Sequence, residues 1–140
     1  MQAERYFSGD ISVIRDTRGI LLRFELANPI EEYSHISYKT YVNTIKIKDF
    51  LAKIENPVII EVHTEVVPKN FGINLKNWEL STVIANNIES VILSTFDINN
   101  RDRIKSVGYG EFLPTKNTPN NGGNYSNRVD IIILCNISGE

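Results

Sequence analysis

Short β-type runs open the chain. Ile11-Ser12-Val13-Ile14 and Ile20-Leu21-Leu22-Arg23-Phe24-Glu25-Leu26 suit a pleated, half-buried surface, and Asp16-Thr17-Arg18-Gly19 between them supplies turn residues. The pattern predicts a hairpin over 11–26, with Asn28-Pro29 as a break after it. From Ser37 the period lengthens. Tyr38, Tyr41, Val42, Ile45, Phe50, Leu51 and Ile54 recur at three- and four-residue steps and predict a helix with these residues facing the core. Asn56-Pro57 ends it, and Val58-Ile59-Ile60-Glu61-Val62 reads as a buried strand. A loop from His63 leads to a second helix starting at Trp78, with Asn77 as its expected N-cap and Leu80, Ile84, Ile88, Val91, Ile92 and Phe96 as its core stripe. Ile104-Lys105-Ser106-Val107 is the next strand, Glu111 to Asn127 a polar loop, and Val129 to Cys135 the last strand.

The order is β-β-α-β-α-β-β, without internal repeats. Helices alternating with strands imply an α/β fold, specifically an α+β two-layer sandwich with a mixed sheet covered by two helices. Strands joined through a helix should run parallel. Residues 1–9 read as a linker remnant and 10–137 as the domain, a core-forming length that needs no disulfides.

Composition narrows the function. A net charge of −2, with no basic run, gives no footprint for nucleic acid or an anionic membrane surface. The single cysteine, Cys135, closes an apolar run and reads as a buried, inert thiol. No stretch reaches the ~20 apolar residues of a membrane span, and no charged-then-apolar leader follows Met1. Gln2-Ala3-Glu4-Arg5 resembles the middle of a polar linker, so a piece of a longer protein is expected.

Candidate chemistry is sparse. His63 and Glu65 form an H-x-E, but a zinc deaminase needs a later Cys-x-x-Cys, and the chain has one Cys. His63 is instead expected to make a structural hydrogen bond at a strand end, and His35 to face solvent. Pairing of His63 with Cys135 for nucleophilic catalysis has no supporting motif. Gly108-x-Gly110 lacks the third glycine of a dinucleotide loop. Trp78 reads as a core or interface packing residue more than a ligand-stacking one.

Several separated motifs in one order carry a family resemblance. They are His63-Thr64-Glu65 at a strand end, Asn77-Trp78-Glu79-Leu80-Ser81 opening a helix, Ser106 to Pro114, and Asn127-Arg128-Val129-Asp130-Ile131. Over His63 to Leu134 the chain resembles OmpA-like peptidoglycan-binding domains, in particular the flagellar MotB branch, with the hairpin and first helix fitting the same layout. The resemblance implies an OmpA-like β-α-β-α-β-β core with an N-terminal hairpin. It also implies a non-catalytic periplasmic domain that holds the diaminopimelate stem peptide of peptidoglycan and anchors a stator. No cofactor or metal is implied. A homodimer is, together with a MotA-type membrane partner reached through an N-terminal segment that tethers the domain to the inner membrane. The alternative is a degenerate member acting as a dimerisation or protein-docking module without wall binding.

The implied ligand-binding residues are Thr64, Glu65, Asn77, Leu80, Ser81, Asn127 and Arg128. In the family, an Asp after His-Thr pairs with the ligand ammonium, and an Arg on the next helix grips its carboxylate bidentately. Here Glu65 stands for the Asp, and Ile84 stands where Leu-Ser-x-x-Arg-Ala would place the Arg. The closing double Arg is reduced to Arg128. Either Asn127 is the family Asn followed by a deletion, or it replaces the first Arg and Ser126 the Asn. Lys69 and Lys76 are candidate substitute cations. On this reading Ile84→Arg should strengthen binding, whereas Arg128 has a plain alternative role, pairing with Glu61 or Asp130.

Overall fold

The structure is a computed structural model that describes residues 3–7, 9–65, 76–94, 101–111 and 126–135. Five strands form one sheet: β1 (Ser12–Asp16), β2 (Gly19–Glu25), β3 (Val58–His63), β4 (Ile104–Gly110) and β5 (Arg128–Leu134). Their order across the sheet is β1-β2-β5-β3-β4. The hairpin β1–β2 turns at Thr17-Arg18, where Asp16 Oδ1 accepts from the Arg18 amide at 2.9 Å. β5 is antiparallel to both β2 and β3, so those two run parallel to each other, and β3 and β4 pair in parallel. The mixed two-layer α+β architecture is as expected.

Among the described residues the helices are α1 (Ala3–Tyr6), α2 (Pro29–Ser34), α3 (Tyr38–Leu51) and α4 (Asn77–Leu93). Asn28-Pro29 starts α2 rather than merely breaking a strand. Asn28 Oδ1 accepts from the Glu31 amide at 3.3 Å, and proline is pre-shaped for the first helical turn. From α2, the buried carboxylate of Glu32 reaches the next helix. It accepts from the Ser37 amide at 2.9 Å, and from the Ser37 and Thr40 hydroxyls at 2.6 Å each. Ser37 in turn caps α3 by accepting from the Thr40 amide.

This anchoring rotates α3 away from the expected stripe. Its buried residues are Thr40, Asn43, Thr44, Ile47, Phe50 and Leu51, whereas Tyr38 is 83% exposed and Tyr41 47%. Thr40 and Thr44 are tolerated inside because Glu32 serves Thr40, and Thr44 Oγ1 donates to the Thr40 carbonyl at 2.7 Å, whereas the buried Asn43 Nδ2 has no hydrogen-bond partner among the described residues. Phe50 and Leu51 fix the other end of the helix in the core. Arg103 closes α3 by donating to the Leu51 and Asn56 carbonyls at 2.6 and 2.9 Å.

α4 buries Leu80, Ile84, Ile88 and Ile92 as its sequence implies, while Val91 is only half-buried and Phe96 lies outside the described residues. These pack on Leu22, Phe24, Ile60, Val62, Val129 and Ile131, the sheet face toward the helices. Ala3 and Phe7, in the stretch read as linker, lie in the same cluster. Ile14, Leu21 and Ile132, on the other sheet face, form a smaller one with Ile59 and Leu134. β5 ends one residue earlier than expected, and Cys135 is exposed rather than buried. No described helix is long and apolar enough to cross a membrane.

Candidate functional site

Parallel β3 and β4 end, and antiparallel β5 begins, at one edge of the molecule, so three motifs distant in sequence meet there. α4 starts at the same place because two glycines let it lie directly on β4. A Cβ at Gly108 would collide with the backbone of Thr82, and one at Gly110 would sit 2.7 Å from the Trp78 amide nitrogen. Gly110 also has φ +58°, a conformation glycine adopts without penalty. Its amide donates to Ser81 Oγ at 2.8 Å, and its carbonyl accepts from the Thr64 amide at 3.0 Å. A register shift between Val62 and His63 leaves Tyr109 as the extra residue on β4, stacked on the His63 ring at 5.4 Å between centroids.

Thr64, Glu65, Asn77, Leu80, Ser81, Asn127 and Arg128 all lie in this region, but they do different work. Thr64 is buried and donates from Oγ1 to the Asn77 carbonyl at 3.0 Å. Leu80 and Ser81 are also fully buried, Leu80 in the core and Ser81 bridging Trp78 and Gly110. Glu65 is exposed, with its amide fixed by Asn127 Oδ1 at 2.7 Å. Asn77 donates from Nδ2 to the exposed Glu111 at 2.8 Å. The expected N-cap shifts by one residue: Lys76 occupies it, and Glu79 accepts from its amide at 3.0 Å. Asn77 thus becomes the first residue of α4. Trp78 is 49% exposed, which excludes the core role among those expected of it. Lys69 lies outside the described residues.

Arg128 turns away from this rim. Its side chain is 3% exposed, and Nε donates to Asp130 Oδ2 at 3.0 Å. Burial pushes its pKa down, opposed by the Asp130 charge. Asp130 also takes a bidentate bond from buried Arg23, at 2.7 and 3.0 Å. One strand over, Glu61 accepts from Arg18 at 2.7 Å. Burial lowers the Arg18 pKa, but the charges of Glu61 and Asp16 outweigh it and hold the guanidinium above its ordinary value. Burial, reinforced by Glu61, raises the Tyr109 phenol. Sequence reasoning named the Arg128–Asp130 pair but missed the rest of this network. Its one signal was charged residues, Arg23, Glu61 and Asp130, at alternate positions of otherwise apolar strands.

His63 sits against these acids without a hydrogen bond from either ring nitrogen among the described residues, contrary to the expected structural bond. Nε2 is 3.6 Å from Glu61 and 4.0 Å from Asp130. Glu61, His63 and Asp130 are close enough together to hold a metal ion. Three guanidiniums already engage the two carboxylates, and adding a dication beside them is electrostatically unfavourable. His35 is exposed, as expected.

At the opposite end of the sheet, a cavity of about 350 Å³ is lined by Arg15, Asp16, Gly19, Ile20, Asn56, Ile133, Leu134 and Cys135. Its lining surface is mainly apolar, and Asn56 Nδ2 there already donates to the Leu134 carbonyl at 3.0 Å.

No protein-family model and no curated protein matches the sequence. Solved structures do match. A MotB-like protein from Desulfovibrio vulgaris is 22% identical with a TM-score of 0.73, covering 99% of this chain and 89% of its own. The periplasmic domain of Helicobacter pylori MotB is 16% identical with a TM-score of 0.69, covering 90% and 82%. The cell wall anchor of the type VI secretion system from Pseudomonas aeruginosa is 18% identical with a TM-score of 0.67, covering 91% and 89%. The chain therefore has the fold of these MotB and wall-anchor domains, in agreement with the OmpA-like resemblance carried by the motifs.

Proposed function

We propose that the chain is a non-catalytic, periplasmic, peptidoglycan-associated domain whose ligand site is the rim formed by Glu65, Asn77, Asn127 and Glu111. The observation that carries this reading is the convergence of the β3 end, the α4 start and the β5 start. It presents an exposed carboxylate, Glu65, whose backbone is held by Asn127. Thr64, Leu80, Ser81 and Arg128 support that rim from inside. The wall-anchoring name of the type VI neighbour and the MotB neighbours favour the same reading. The finer form is a stator domain, dimeric and tied to a MotA-type membrane partner by a preceding segment.

A second reading has its own observation. Ile84, where the family places its arginine, is fully buried in the core, and Arg128 is committed to Asp130. An arginine at 84 would force a charge into apolar packing, so the expectation that Ile84→Arg strengthens binding is withdrawn. These losses fit a domain that keeps the fold for dimerisation or protein docking.

Sedimentation with purified peptidoglycan sacculi separates the two. Wall binding predicts that the folded domain pellets with sacculi and that Glu65→Ala reduces the pelleted fraction about tenfold or more, as expected for loss of a charged contact. A folded domain that stays in the supernatant with every type of sacculus supports the docking reading.

A further inference from the structure

α3 carries a second apolar stripe that the core leaves outside. Tyr38, Tyr41, Val42 and Ile45 follow at the three- and four-residue steps of one helical face. Glu32, by holding Ser37 and Thr40, turns that face away from the sheet. Tyr38 is exposed and Tyr41 nearly half so, while Val42 and Ile45 are half-buried and belong to neither hydrophobic cluster. An isolated exposed apolar residue needs no explanation, but a stripe of them on one element is the pattern of a contact surface.

The charges beside the stripe say what fits it. Lys39, Lys46 and, in the turn just after the helix, Lys53 recur every seven residues and are all exposed, so they stand in one column along its edge. Lys39 has a loose pair with Asp10 at 3.8 Å, both side chains more than half exposed, and such a pair contributes little. Lys53 lies over the Tyr6 ring at 5.5 Å, which fixes that end of the column. The acid on this face, Asp49, is matched by Lys48 at 3.9 Å. We propose that this face docks an amphipathic helix of a partner protein, whose apolar stripe covers Tyr38, Tyr41, Val42 and Ile45 and whose flanking column is acidic. A helix packed along α3 repeats its own side chains at the same seven-residue interval, so its acids can meet each lysine in turn. A second copy of this chain fits less well, because an antiparallel pair through this face sets lysine column against lysine column. An anionic membrane also fits less well. Val42 and Ile45 give little aliphatic surface to insert, and Asp49, its side chain 57% exposed, would face the headgroups. None of these residues belongs to the rim, so the proposal is independent of the wall-binding reading.

Heteronuclear NMR titration of the 140-residue chain with two synthetic peptides tests this. Each spans about two heptads, is stapled to hold the helix, and carries leucine at a and d; one has glutamate and the other lysine at e and g. The acidic peptide is expected to bind about tenfold or more tightly than the basic one, as for matched against like charges. Its shifts should map to the amides of residues 38–53. Tyr38→Ser, at an exposed position that the fold does not use, should weaken it, and Lys39→Glu with Lys46→Glu should reverse the preference. Equal affinity, binding to neither peptide, shifts elsewhere, or indifference to all these substitutions overturns the proposal. So does self-association of the chain, or attachment to phosphatidylglycerol vesicles, that Tyr38→Ser abolishes while the acidic peptide leaves α3 unshifted; the face then belongs to a second copy or to a membrane.

Discussion

Single side chains show where this fold stores its polar cost. Arg23 and Asp130 face each other across β2 and β5, both essentially without solvent contact, and two parallel hydrogen bonds join them. Arg128, Arg18 and Glu61 extend the arrangement across the same face. Removing one partner from a buried pair costs far more than the pair contributes, because the remaining charge has no water to return to. Asp130→Asn, which keeps the shape and removes the charge, is expected to destabilise the domain by about 3–5 kcal/mol in urea unfolding. A loss below about 1 kcal/mol would mean that water reaches Arg23. The alternation of charge and apolar residue in Leu22-Arg23-Phe24 and Val129-Asp130-Ile131 was visible in the sequence. That Arg23 and Asp130 are partners was not, since 107 residues separate them.

Among the elements, α3 and α4 show opposite relations between pattern and packing. For α4 the apolar stripe is also the buried face, because Leu80, Ile84, Ile88 and Ile92 repeat at four-residue steps with few competitors. α3 carries apolar residues nearly all round, so periodicity alone leaves its rotation undetermined. Glu32 decides it by holding Ser37 and Thr40, and Tyr38 and Tyr41 consequently face out. α2 was hidden for a related reason. Proline opens a helix as readily as it breaks one, and only the Asn28 cap tells the two apart. The position of α4 depends on β4 in turn. Gly110→Ala should cost about 1–2 kcal/mol for the left-handed backbone alone, with more from the contact at Trp78. Thermal unfolding measures it, and an unchanged midpoint would show that α4 does not press on Gly110. The peptidoglycan binding proposed for the rim should weaken with it, because Asn77 and the Thr64 contact move with the helix start.

For the molecule as a whole, the strand last in sequence is the middle of the sheet. β5 pairs with β2 on one side and β3 on the other, and six of its seven residues are buried. β1 and β4 form the edges. Amide hydrogen exchange should therefore be slowest in β5 and its partners β2 and β3, and faster in β1. Early exchange of β5 amides would contradict the strand order. Putting β5 at the centre also assembles the candidate site, since its antiparallel start brings Asn127 to Glu65 across 62 residues of sequence.

The sequence by itself determined the number and kind of strands, the α4 stripe, the layered class and the motifs of the rim, because each is written in neighbouring residues and local periods. Tertiary structure decided the rest: the rotation of α3, the insertion of β5, the withdrawal of Arg128 to Asp130, and the burial of Ile84. These depend on which distant groups compete for the same buried space and the same hydrogen bonds, and no local pattern records that competition. The rim keeps its acids in solvent while its arginine is drawn inside, since a buried carboxylate needs a cation beside it and an exposed one does not.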